Sequence, residues 1–135
     1  MRQATRADIG AMVGLLKEHH AEQAFPFSFD PAAAGADLTH AIGDRHWLCL
    51  VADRSMFLGH CYRPPLVSVM VASEIMLKCS RPGTRRLFVD AFELWARERG
   101  CLLVTLATTH SIPAFGRLYG RDGYRLAEAQ FIKVL

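Results

Sequence analysis

One stretch constrains the fold of this chain more than any other: Ser73 to Gly100 and the segments that flank it. Val69–Lys78 is rich in β-branched and apolar residues, with no glycine or proline until Pro82, which is the composition of a strand. Phe88, Ala91, Phe92 and Trp95 then recur at i, i+3, i+4 and i+7, a helical stripe. Gly100 stands where a helix end wants a left-handed residue, and Arg97 and Arg99 in the last turn suit the helix dipole. Cys101–Leu106 then resumes as a buried strand. A strand–turn–helix–strand unit crosses over right-handed, so its two strands run parallel if they are neighbours.

The turn in this unit has a chemical use. The first N–H groups of a helix have no internal partner, and the macrodipole adds partial positive charge there. A phosphate or pyrophosphate is the natural guest. Gly83 permits close backbone approach, and Arg81, Arg85 and Arg86 bring three cations to one place. The competing reading is a plain connection with solvated arginines.

Composition narrows the class. With 135 residues, 51% hydrophobic and 21% charged, the chain reads as one globular domain, 1–135, large enough for its own core. A net charge of +3 suits an anionic small ligand and falls far short of a dedicated nucleic-acid binder. The arginines also lack an adjacent aromatic platform. Cys49, Cys61, Cys79 and Cys101 are dispersed in apolar runs without a CxxC, which reads as reduced, buried thiols in a cytoplasmic protein. MRQATRADIG has no signal-like apolar region and no run approaches transmembrane length, so no membrane is expected. The histidines show no metal spacing, and no metal is assigned.

Along the chain, Arg2–Ala4 reads as a short strand. Thr5 and Asp8 form a short-armed capping box ahead of a helix whose stripe is Ile9, Met12, Val13 and Leu16. Phe25, Phe27 and Phe29 lie in a loop, either plugging one end of the core or walling an acceptor pocket. Asp30-Pro31 starts a second helix through Ile42. His46–Ala52 and Ser55–Arg63 read as a hairpin joined at Asp53-Arg54, ended by Pro64-Pro65. After the Cys101–Ala107 strand come a polar stretch, a short helix over Ala114–Gly120, and one or two final strands within Tyr124–Leu135. The order β-α-α-β-β-β-α-β-α-β calls for a mixed sheet with helices on both faces.

Read together, these segments resemble the GCN5-related N-acetyltransferase (GNAT) superfamily over essentially the whole chain. MRQATRADIGAMVGLLKEH is similar to that family's opening strand and helix, DRSMFLGHCY to its second hairpin, and RLFVDAFELWARERG to its central helix. RLYGRDGYR is similar to its aromatic-Tyr-x-x-x-Gly-aromatic signature. The resemblance implies an α/β fold with a mixed, mostly antiparallel sheet of six to seven strands and a central parallel pair splayed at the cofactor site. The pyrophosphate loop departs from the family's Gln/Arg-x-x-Gly-x-Gly/Ala pattern: here it is Ser80-Arg81-Pro82-Gly83-Thr84-Arg85. Pro82 removes one N–H donor, and Arg85 puts a long side chain where backbone should meet phosphate. Either the arginines compensate or acetyl-CoA binds weakly.

The resemblance further implies acetyl-CoA as co-substrate and a small-molecule or peptide amine as acceptor. Its pantetheine arm would pair with Met76, Leu77, Lys78 and Cys79, and its diphosphate would meet Arg81, Gly83, Thr84, Arg85 and Arg86. Ser111 or Ile112 falls in the region where many members have an asparagine contacting the cofactor. Glu74, alone between Asp53 and Asp90 as a carboxylate and set in an apolar strand, is the general-base candidate. It can equally be an edge glutamate in water. His110 is the second candidate. Tyr119, on the signature tyrosine, is implied as the acid that protonates the leaving thiolate; its alternative is a packed helix aromatic. A module of this fold without catalysis, acting in acyl-CoA binding or assembly, is the competing function. The final strands also leave a homodimer open.

Overall fold

The computed structural model describes residues 1–23, 25–108 and 112–135. Strands β1 (Arg2–Gln3), β2 (Trp47–Ala52), β3 (Ser55–Tyr62), β4 (Met70–Lys78) and β5 (Cys101–Thr105) form one sheet in that spatial order. Helices α1 (Ile9–Gln23), α2 (Pro31–Gly43), α3 (Thr84–Glu98) and α4 (Ile112–Arg121) complete the chain. Every strand pairing is antiparallel except β4–β5, which is parallel, the helix α3 carrying the chain back from the end of one strand to the start of the other. Among the described residues no helix is long and apolar enough to cross a membrane.

Local chemistry sets the helix ends. The Asp8 carboxylate accepts from the Thr5 N–H at 2.8 Å and takes both arms of the Arg2 guanidinium at 2.7 Å, so a 3-10 turn at Arg6–Asp8 precedes α1. Asp30 caps α2 by accepting from the Ala32 and Ala33 N–H groups at 2.9 and 3.0 Å, with Pro31 in the first turn. Gly100, at φ +72°, closes α3.

Two apolar clusters sandwich the sheet. On one face α3 drives Phe88, Phe92 and Trp95 onto Leu48, Leu50, Phe57 and Ala72. On the other, α1 and α2 set Met12, Leu38 and Ala41 against Cys49, Met56, Leu58 and Met76. Burial pushes the Cys49 thiol up to about 11. All four cysteines are free, but Cys79 is exposed, because it lies just past the end of β4.

Gly59 of β3 has no room for a side chain. A Cβ there would stand 2.8 Å from Phe92 Cε2 and 2.9 Å from Phe57 Cε1, and both rings are fully buried. Gly59→Ala is therefore expected to destabilise the fold by about 1–3 kcal/mol, read as a lower urea midpoint at unchanged slope.

The sheet has five strands, not six or seven. Residues 124–135 form no strand, and Leu126, Phe131, Ile132, Val134 and Leu135 are all exposed. Phe131-Ile132 and Val134-Leu135 are adjacent apolar pairs, so a strand here would carry apolar groups on both faces. Strict alternation, which lets a strand bury one face on a core, is absent there.

Candidate active site at the parting of β4 and β5

β4 and β5 stay paired only from Met70–Cys101 to Ser73–Thr105. Beyond that point β4 continues to Lys78 beside β3 alone, so the backbone of Glu74–Lys78 has an open edge on the side β5 leaves. The β3–β4 register also slips here: Leu58 faces Met76, and Gly59 faces Glu74. Ile75 is the extra residue of this bulge, and its side chain is exposed. A bulge turns backbone groups out of the ladder at the place where the two strands separate.

Glu74 sits at the head of the gap. Its Oε2 accepts the Ala107 N–H at 2.9 Å, spanning from β4 to the segment after β5. The carboxyl is half-buried, and that burial raises its pKa above the ordinary glutamate value, against the lowering effect of the Ala107 bond. Tyr119 of α4 lies within the field of the same carboxylate. Its phenol is pushed up first by burial and then by the Glu74 charge, while Arg85 pulls it down. Cys79 contributes to the same surroundings, its own thiol raised by burial.

The other residues singled out in the sequence take varied places. Met76 is buried on the α1–α2 face and Leu77 packs on the α3 side, so only their backbone faces the gap. Lys78 extends to Glu22 at 2.7 Å and Glu18 at 3.6 Å, tying the end of β4 to α1. Phe25, Phe27 and Phe29 gather round the His20 ring at 5.3–5.7 Å and stay out of both core clusters. His110 and Ser111 lie outside the described residues.

In the loop before α3, the Ser80 N–H donates to the buried Ser55 hydroxyl at 2.9 Å, anchoring its start to β3. Gly83 takes φ +85° as the N-cap of α3, with nothing within 4 Å of where a Cβ would be. The three arginines do not stand free. Arg81 pairs with Asp53 at 2.9 Å, Arg85 with Asp122 at 2.9 Å, and Arg86 with both Asp90 and Asp122. Arg85 also lies over the Tyr119 ring, 5.3 Å from its centroid. Its Nη1 is buried and has no partner among the described residues. An orphaned guanidinium nitrogen, an open loop backbone at Gly83 and the free edge of β4 fit a phosphate-bearing chain laid along β4.

Sequence reasoning missed Asp122, the Ala107 N–H and the bulge. Only Asp122 had a local signal, its place in the Gly120–Gly123 turn. That turn is a Schellman end: Tyr124 N–H donates to Tyr119 C=O at 3.0 Å, Gly123 N–H to Gly120 C=O at 3.2 Å, and Gly123 has φ +85°.

No protein-family model and no curated protein matches the chain. Solved structures do. A transcriptional regulator from Bacillus halodurans C-125 superposes with a TM-score of 0.79 at 17% identity, over 99% of this chain and 97% of that one. AAC(6')-Iy, in complex with the bisubstrate analog CoA-S-monomethyl-acetylneamine, gives 0.73 at 17% identity over 99% and 95%. The aminoglycoside antibiotic 6'-N-acetyltransferase AAC(6')-IG from Acinetobacter haemolyticus gives 0.69 at 14% over 99% and 97%. With full-length superposition and the parallel pair parting at its C-terminal end, the chain has the fold of the GCN5-related N-acetyltransferases.

Proposed function

We propose that this protein is an N-acetyltransferase that moves an acetyl group from acetyl-CoA to a primary amine of a small molecule or peptide, by direct transfer in a ternary complex. The observation that carries it is a half-buried, raised carboxyl at Glu74 at the head of the β4–β5 gap, whose charge acts on the half-buried phenol of Tyr119. Two titratable groups held apart in function by their surroundings supply a base and an acid.

Acetyl-CoA, when bound, supplies the activated thioester. The open edge of Glu74–Lys78 would hold its arm, and Gly83, Arg85 and Arg86 would hold its phosphates. A backbone N–H of this segment, where the ladder is interrupted by the bulge at Ile75, would polarise the carbonyl. Glu74 takes the proton from the acceptor ammonium, directly or through a water. The neutral amine would then form the C–N bond as the C–S bond breaks, Tyr119 giving its proton to the departing sulfur and regaining one as the acylated nitrogen sheds its second proton, through a water. The four free cysteines support placing this work in the cytoplasm.

The test is release of free thiol from acetyl-CoA in the presence of a panel of primary amines, run beside calorimetric titration with CoA. Amine-dependent thiol release is the expected result. Binding of CoA without release for any amine would leave a binding module, and no binding at millimolar CoA would end the enzyme reading.

A further inference from the structure

Three charged side chains meet where the end of α4 closes on the first turn of α3. The Asp122 side chain is only 12% exposed; one oxygen lies 2.9 Å from Arg85 Nη2 and the other bonds Arg86 Nη1. Arg86 also reaches Asp90 through its Nε, at 2.8 Å. Among the described residues Arg85 has no such second carboxylate, and its buried Nη1 has no partner, while its guanidinium plane covers Tyr119. Asp122 is fixed from behind by the Schellman end of α4, and the next ring, Tyr124, is pinned by its hydroxyl to Glu93 of α3 at 2.9 Å. These bonds fix the backbone from which the Asp122 carboxylate reaches the two arginines.

We infer that Asp122 is an internal counter-ion: it occupies part of the anion-binding face that Arg85 and Arg86 present, and so sets how tightly the chain takes a diphosphate. A carboxylate and a phosphate seek the same planar fork of N–H donors. With Asp122 in place, the two arginines and the two carboxylates they hold, Asp122 and Asp90, sum to no net charge, where Arg85, Arg86 and Asp90 alone would offer an incoming diphosphate one positive charge. The unpartnered Arg85 Nη1 is the donor left over for it. Weaker holding also means faster release, since affinity within one site is set mostly by the off-rate. The link to CoA rests on the function proposed above; the competition for the two arginines does not.

The test is calorimetric titration of wild type, Asp122→Asn and Asp122→Ser with inorganic pyrophosphate and, separately, with CoA. Both neutral variants are expected to bind pyrophosphate about tenfold more tightly than wild type, and CoA by a similar factor, at low salt. Unchanged or weaker pyrophosphate binding, with circular dichroism and melting like wild type, would overturn the inference. Wild type supplies a check that needs no variant. During a pyrophosphate titration the Asp122 carboxyl carbon and Arg85 side-chain nitrogen resonances should move with one midpoint, and a stationary Asp122 signal would sink the idea. If the variants gain pyrophosphate affinity but none binds CoA, the counter-ion stands and the acetyl-CoA reading falls. If all three bind CoA equally and pyrophosphate equally, the counter-ion falls and CoA binding stands.

Discussion

Glu74→Gln is expected to lower turnover by about two to four orders of magnitude, the usual contribution of a positioned general base. Glutamine keeps the size of the side chain and an oxygen to accept the Ala107 N–H, so the bridge from β4 survives. What it loses is the ability to take a proton. The raised pKa also predicts the shape of the wild-type profile. A carboxyl shifted upward must be ionised to act as base, so kcat/KM should fall with decreasing pH through a value above that of ordinary glutamate. The variant should lack this acid limb. Stability should run the other way. A carboxyl whose folded pKa is raised holds its proton more tightly in the native state, so its contribution weakens as pH rises from the unfolded value. At neutral pH the ionised Glu74 is a burden on the fold, and Glu74→Gln should melt no lower than wild type. Wild-type turnover in the variant would remove Glu74 from the chemistry; a lower melting temperature would mean that its charge is structural.

Tyr119→Phe is expected to reduce turnover about a hundredfold while leaving CoA affinity within a factor of about two. The ring itself does structural work. It lies under Arg85 and packs beside Phe115 and Tyr124, with centroids at 5.6 and 5.9 Å, and phenylalanine keeps all three contacts. Only the hydroxyl is lost. Burial and the Glu74 charge keep the phenol protonated across the neutral range, which a proton donor requires. Comparing burst amplitude with steady-state rate, alongside CoA titration, separates loss of chemistry from loss of binding. Equal turnover in the two proteins would reduce Tyr119 to a packing residue. Parallel loss of CoA affinity would assign its role to holding Arg85.

The two readings drew on different parts of the sequence. Glu74 could be named beforehand because it is odd in its local setting, an acid in an apolar strand, and Tyr119 because RLYGRDGYR resembles a family signature that carries a tyrosine at that position. The arginines could be counted but their engagements could not. Arg81, Arg85 and Arg86 looked like three cations waiting for phosphate, yet each holds a carboxylate from elsewhere in the fold or along its own helix. The tail shows the opposite failure. Tyr124–Leu135 has strand-forming residues, but β-propensity reports fit to a half-buried surface, and this segment has apolar groups on both sides and no sheet beside it.

The sequence by itself determined the kind and order of elements from β1 to α4, because helical stripes, Asp30 and Gly100 caps, and the parallel crossover all act over a few residues or follow from chain handedness. Only the tertiary structure decided what encloses the site. The bond from Ala107 to Glu74 spans 33 positions, and those from Arg85 and Arg86 to Asp122 span 37 and 36. The bulge at Ile75 arises where β4 must stay with β3 while β5 departs. No periodicity encodes such meetings; they exist once the sheet and α3 are packed.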